Sequence, residues 1–188
     1  LLKSKLDQLI SACLLGDSEI LIIQNKFHLY ADIDKSKFKY LENFIIKNAL
    51  DSFVKTNKLK CQLVITHSLI ESYYNSWYLD SKKIFSKRIT PYLLDFETVI
   101  LYVILFGKRQ VEGIKVASNI DKKYLIITTY CIQSHLQINL NFGESYIKIL
   151  DIIGFIKKAL DKVQMNELIE LFQYLTHSEV KKLVIVPS

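Results

Sequence analysis

The stretch Thr98-Val99-Ile100-Leu101-Tyr102-Val103-Ile104-Leu105-Phe106, closed by Gly107, decides how the chain folds. It is apolar on every side, so periodicity alone does not separate a buried helix from a buried central strand. The β-branched residues and the glycine that follows favour a strand. Val99 to Phe106 is also the longest uninterrupted apolar run, far short of the roughly 18 residues that cross a bilayer.

Upstream, Thr90-Pro91 has the cap-then-proline form of a helix start. Ser68 to Leu79 reads as a helix, with Ser68 and Glu71 spaced as a capping box. Lys60 to Thr66 is a short strand. Phe38, Leu41, Ile45, Ala49 and Phe53 recur as a helical stripe behind a cap at Asp34. Glu19 to Ile23 and Phe27 to Ile33 form a hairpin around Gln24-Asn25-Lys26. Leu2, Leu6, Leu9, Ile10, Cys13 and Leu14 mark a first helix, stopped by Gly16-Asp17.

Downstream, Val111 to Ala117, Tyr124 to Ile132 and Leu136 to Asn141 read as strands, the last two joined around Gln133-Ser134. Ser145 to Val163 reads as an amphipathic helix with Lys148, Lys157, Lys158 and Lys162 outward. Leu168, Leu171, Phe172 and Leu175 mark another helix, and Lys182 to Val186 a closing strand. The expected class is α/β or α+β: a mixed sheet with an N-terminal hairpin, covered by about five helices. No internal repeat, linker or low-complexity tract is legible.

The 188 residues fit a single domain, residues 1–188, and a first residue other than Met leaves room for a longer parent chain. Half the residues are apolar and 23% are charged, which argues against disorder. Three widely spaced cysteines, Cys13, Cys61 and Cys131, point away from a disulfide framework and toward an intracellular, reducing compartment. They read as small apolar residues. A formal charge of +6 fits an acidic partner, a nucleic acid or an anionic membrane surface, with no transmembrane span and with peripheral contact open.

Motifs for chemistry are sparse. Asp32 and Asp34, two apart at a strand end, have the spacing of a Mg²⁺ pair, or Asp34 simply caps the next helix. Thr66-His67-Ser68 sits between strand and helix but lacks the flanking glycines of a nucleophile elbow. His28, His67, His135 and His177 have no metal-ligand spacing with the cysteines, and Cys131 and His135, placed on strands, would stand about 13 Å apart. No metal or cofactor is expected, and no glycine-rich phosphate loop occurs.

The most distinctive composition lies at 71–92. Tyr74, Trp77 and Tyr78 share a helical face, and Lys82, Lys83, Phe85, Lys87 and Arg88 follow. Aromatics among cations serve as a protein hot spot, a base-stacking, phosphate-neutralising surface or an anchor in a membrane interface; the plain alternative is a core stripe beside a solvated loop.

Two segments resemble known families. Glu170 to Leu175 followed by Lys181 to Ser188 resembles the start of the caspase-like CHAT domain, which implies a helix and then a strand and carries over no catalytic residue. Glu19 to Thr66 is similar in element order to an actin-like or ribonuclease H-like half-domain.

The expected function is a non-catalytic binding or scaffolding subunit, with a protein partner or a second copy docked through 71–92. The alternatives are a nucleic-acid-binding or processing protein using the same basic residues, and a hydrolase built around Asp32 and Asp34 or His67 and Ser68.

Overall fold

The computed structural model describes residues 4–86, 94–163 and 166–184. It begins with α1 (Lys5–Leu15), β1 (Ser18–Ile23) and β2 (Lys26–Asp32). After a 3₁₀ turn at Lys35–Lys37 come α2 (Phe38–Lys47), β3 (Val54–Asn57), β4 (Gln62–Thr66) and α3 (Leu69–Trp77). A ribbon of β5 (Tyr78–Leu79) and β6 (Lys82–Lys83) follows. Next come α4 (Phe96–Phe106), β7 (Gly107–Gln110), β8 (Gly113–Ala117), α5 (Lys122–Leu136), β9 (Leu140–Phe142), β10 (Tyr146–Ile149) and α6 (Ile152–Lys162). A 3₁₀ helix (Asn166–Tyr174) and α7 (His177–Val184) complete the described chain.

The order helix, strand, strand, helix, strand, strand, helix therefore occurs twice. The two four-stranded sheets repeat it in space, running β1-β2-β4-β3 and β7-β8-β10-β9, antiparallel throughout. The mixed α/β class and the N-terminal hairpin stand as expected. The strands divide between two sheets, and the duplication that no sequence repeat announced is plain in the topology.

Local chemistry sets the elements. Ser4 Oγ accepts from Asp7 N to start α1. Gln24 and Asn25, at φ of 50° and 60°, make the two-residue turn between β1 and β2; both positions need φ > 0, which suits a right-twisted hairpin. Asp34, Asp95, Asp121 and Asp151 cap the helical turns that follow them, each accepting from a backbone N–H.

Several expectations are corrected. Thr98 to Phe106 is helix, with all nine side chains buried. It packs on α1 along one flank and meets β7, β8, α6 and the 3₁₀ helix on the others. A helix enclosed on every side needs no polar face, and that enclosure overrides β propensity. Tyr124 to Ile132 also belongs to a helix: Thr128 and Thr129 return their hydroxyls to the carbonyls of Tyr124 and Leu125, and Leu125, Thr129, Ile132 and Leu136 turn inward. Gln133-Ser134 is helix interior, and the turn comes at Gln137, with φ 54°.

Residues 146–149, read as helix, are strand β10, so Lys148 projects from a sheet. Phe53 lies beyond α2, and the unexpected strand β3 follows it. Strand β7 was likewise unexpected. Ser68 makes no side-chain cap bond; His67 Nδ1 accepts from Leu69 N instead, at 3.1 Å. Lys182 to Val184 is helical, against both the closing strand and the strand implied by the CHAT likeness. The expected start at Thr90-Pro91 lies outside the described residues.

The core runs from Leu6 to Tyr174, with α1 and α4 at its centre. Their C-terminal ends approach closely. A Cβ on Gly16 would stand 2.5 Å from the Phe106 ring, and one on Gly107 would stand 2.3 Å from Val103 O. Both ends are closed by donors from elsewhere. Lys83 Nζ reaches Gly16 O at 2.7 Å, and Tyr174 Oη reaches Val103 O at 2.8 Å and Gly107 O at 3.1 Å. No helix among the described residues is long and apolar enough to cross a membrane.

Candidate nucleic-acid interface

Strand alternation assigns each sheet a buried and an open face. In the second sheet Ile114, Val116, Ile147, Ile149 and Leu140 turn into the core. Their neighbours turn out, and the register pairs Lys108 with Lys115, Lys115 with Lys148 and Lys148 with Asn141. Three lysines thus stand side by side across three strands. Like charges directly opposite one another disfavour pairing, so such a row calls for counter-charge.

Part of that counter-charge is internal. Lys108 Nζ lies 3.3 Å from Asp34 Oδ2, Lys148 Nζ lies 3.1 Å from Glu112 Oε2, and Lys115 Nζ sits over the Tyr146 ring at 4.3 Å from its centroid. The Lys108 side chain is 74% exposed, so its pair with Asp34 is weak and open to exchange for an external anion, whereas the Lys148 side chain is 16% exposed and reaches the surface through its pair with the 82% exposed Glu112.

The first sheet is built to the same plan with different residues. Asp32 N donates to Asp17 O at 3.2 Å, extending the β1–β2 ladder, and Asp32 pairs with Gln62 and Gln62 with Asn57. With the two sheets matched strand for strand, Asp17-Asp32-Gln62-Asn57 occupies the places of Lys108-Lys115-Lys148-Asn141. Each row begins one residue past a helix-ending glycine, Gly16 or Gly107.

A pocket at the junction of the halves is lined by Asp17, Asp32 and Asp34 from one side and Lys108 and Ala117 from the other, with Lys60 beside them. The Asp34 carboxyl is held below its usual range, first by the Ser36 backbone N–H and then by the Ser36 hydroxyl. Asp34 therefore has the cap role, with Oδ1 at 3.0 Å from Ser36 N. Among the described residues no group of three His, Cys, Asp or Glu side chains is placed to hold a metal ion. Cys131 and His135 are four apart on α5, not on strands, and all three cysteines are free.

Within the segment 71–92, residues 71–86 are described, and there the aromatic residues follow the core alternative. Trp77 is wholly buried and meets Phe85 edge-on at 5.4 Å. Tyr78 is buried and its hydroxyl accepts from Ile20 N at 2.9 Å. Tyr74 is half-buried, stacked on Tyr78 at 4.8 Å. Phe85 is buried.

Lys83 is buried too, its ammonium bonded to Gly16 O, Ser18 O and Ser18 Oγ. Desolvation pushes Lys83 down to about 7, with Asp17 opposing that shift. Lys82 is exposed; Lys87 and Arg88 lie outside the described residues. The aromatic stripe is core, and one of its lysines is an internal strut. Sequence reading missed Lys108, Lys115 and Lys148 as a set, because their 7- and 33-residue separations carry meaning only once the register is known.

No protein-family model and no curated protein matches the chain. Among solved structures, the homing endonuclease I-WcaI bound to its DNA recognition sequence is similar at a TM-score of 0.57 and 15% identity, covering 98% of this chain and 88% of that one. I-DmoI in complex with DNA and Ca is similar at 0.51 and 10% identity, covering 87% and 92%. Full-length DUF199/WhiA from Thermatoga maritima is similar at 0.53 and 11% identity, covering 98% of this chain and 62% of that one. At such identities the likeness is one of fold: mixed α/β with antiparallel sheets.

Proposed function

We propose that this chain binds nucleic acid, with the phosphate backbone seated on the open face of the second sheet. The observation that carries the reading is the in-register row Lys108, Lys115 and Lys148. Lysines in register on one outward face of a sheet neutralise successive phosphates, and backbone neutralisation supplies most sequence-independent affinity. Two similar structures, I-WcaI and I-DmoI, hold DNA, which supports this reading over a scaffold docking through 71–92.

The test is a salt titration of duplex binding by the native chain and by Lys108→Gln/Lys115→Gln/Lys148→Gln. Affinity of the native chain should fall steeply with salt. The triple variant should bind more weakly, with a slope shallower by roughly 2 to 3, since each lost phosphate contact removes about 0.9. An unchanged slope in the folded variant would sink the proposal.

A further inference from the structure

The duplicated architecture invites the expectation that both halves grip a partner alike, yet their equivalent rows carry opposite charge. Where the second half places Lys108 and Lys115, the first places Asp17 and Asp32; Asp17, Asp32 and Lys108 line one pocket, and Lys115 lies one strand further out. Exposed Glu19 adds a third acid to the first sheet's open face, opposite Tyr30.

Farther along, that face carries Leu21 and Ile23, 39% and 43% exposed, beside half-buried His28 and Val64. Lys26 and Lys55 bring positive charge to it, paired across to Ile23 and Val64 with β4 between them, and Lys60 lies beside its acidic edge. Phosphates packed against Asp17, Glu19 and Asp32 would be repelled, while the same contact on the second sheet would be attractive.

We infer that the two halves have diverged into unequal roles, the second sheet holding the nucleic-acid backbone and the first sheet's acidic edge keeping phosphates off. The inference rests on the nucleic-acid reading above and adds to it a polarity: a bound strand runs over one half rather than symmetrically across both. The ion pair between Lys108 and Asp34 marks the border, with the second half's leading cation tied to the first half's cap residue.

Lysine acetylation read by mass spectrometry, on the full chain with and without a mixed-sequence duplex in chelator-containing buffer, tests this directly. Lys108, Lys115 and Lys148 should be protected severalfold, and Lys26 and Lys55 should react as in the free protein. Asp17→Asn/Asp32→Asn should bind the same duplex more tightly than the native chain at low salt.

Equal protection of Lys26 and Lys55, or weaker binding by the double Asn variant without divalent cations, would overturn the polarity and leave nucleic-acid binding standing. Absence of binding by the native chain at low salt would overturn both. Normal thermal unfolding of the Asn variant separates lost affinity from lost fold.

Discussion

Lys83 Nζ lies 2.7 Å from the carbonyl oxygen of Gly16, inside the core, where it closes the C-terminal end of α1. It also donates to Ser18 O at 3.0 Å, an acceptor it shares with the Asn119 amide at 2.9 Å, so one amine ties the helix end to the start of β1. Lys83→Met keeps the stem, removes the donor to Gly16 O and leaves Ser18 O to Asn119, and should cost about 1–3 kcal/mol of stability.

The pH dependence has a definite sign. With Lys83 at about 7 in the fold and about 10.4 when unfolded, the unfolded chain binds the extra proton between those values. Stability from this group therefore rises with pH through that window and is lost as pH falls through it. Urea unfolding at several pH values should show the advantage of the native chain over the Met variant growing from neutral to alkaline pH. Parallel pH profiles would refute the buried-amine account.

The contact between Gly16 and Phe106 gives a second expectation. A methyl at Gly16 would meet ring atoms at 2.5 Å, and Phe106 is itself buried. Gly16→Ala should destabilise by about 1–3 kcal/mol through overpacking. Phe106→Leu should recover part of that loss in the double variant, giving a coupling above about 0.5 kcal/mol in a double-mutant cycle. Thermal unfolding of the four proteins measures it.

Helix caps separate what composition advertises from what geometry uses. Asp151 Oδ1 accepts from Gly154 N at 2.8 Å, so Asp151→Ala should cost about 1 kcal/mol. Ser68→Ala should be close to neutral, because Ser68 already has helical backbone angles and makes no side-chain cap bond. Chemical denaturation of the two variants should rank them in that order.

The same contrast explains how far the sequence could be read. Short-range chemistry was legible: the helix before Gly16, the hairpin turn at Gln24-Asn25 and the cap at Asp34 each depend on residues within a few positions. Thr98 to Phe106 was misread because its helical state is imposed by neighbours that enclose it, and Tyr124 to Ile132 because its threonines satisfy themselves within a helix.

The candidate site was less legible still. By sequence pattern Lys148 falls on the solvent face of a helix, and it joins Lys115 only through the β8–β10 register. Lys83, by contrast, advertised itself in a basic run and is internal. Asp17 looked like a helix stop, and its match to Lys108 needs the duplicated topology to be seen.

The two possible seats of binding, the lysine row and the aromatic stripe, are separable by one pair of variants. Lys115 stands at the centre of the row, half-buried and over the Tyr146 ring. Lys115→Gln should change stability by only about 0.5–1 kcal/mol, the size of the cation–π contact it loses. Its salt slope should shift by about 0.9 as one phosphate contact goes.

Trp77 is wholly buried, and its Nε1 has no hydrogen-bond partner among the described residues. Trp77→Phe thus removes ring volume without stranding a polar group, and should cost about 1–3 kcal/mol through underpacking. Its duplex affinity should match that of the native chain at every salt concentration. Were Trp77→Phe, still folded by circular dichroism, to weaken binding as much as Lys115→Gln, the stripe at 71–92 would be part of the interface and the lysine row would not suffice to explain it.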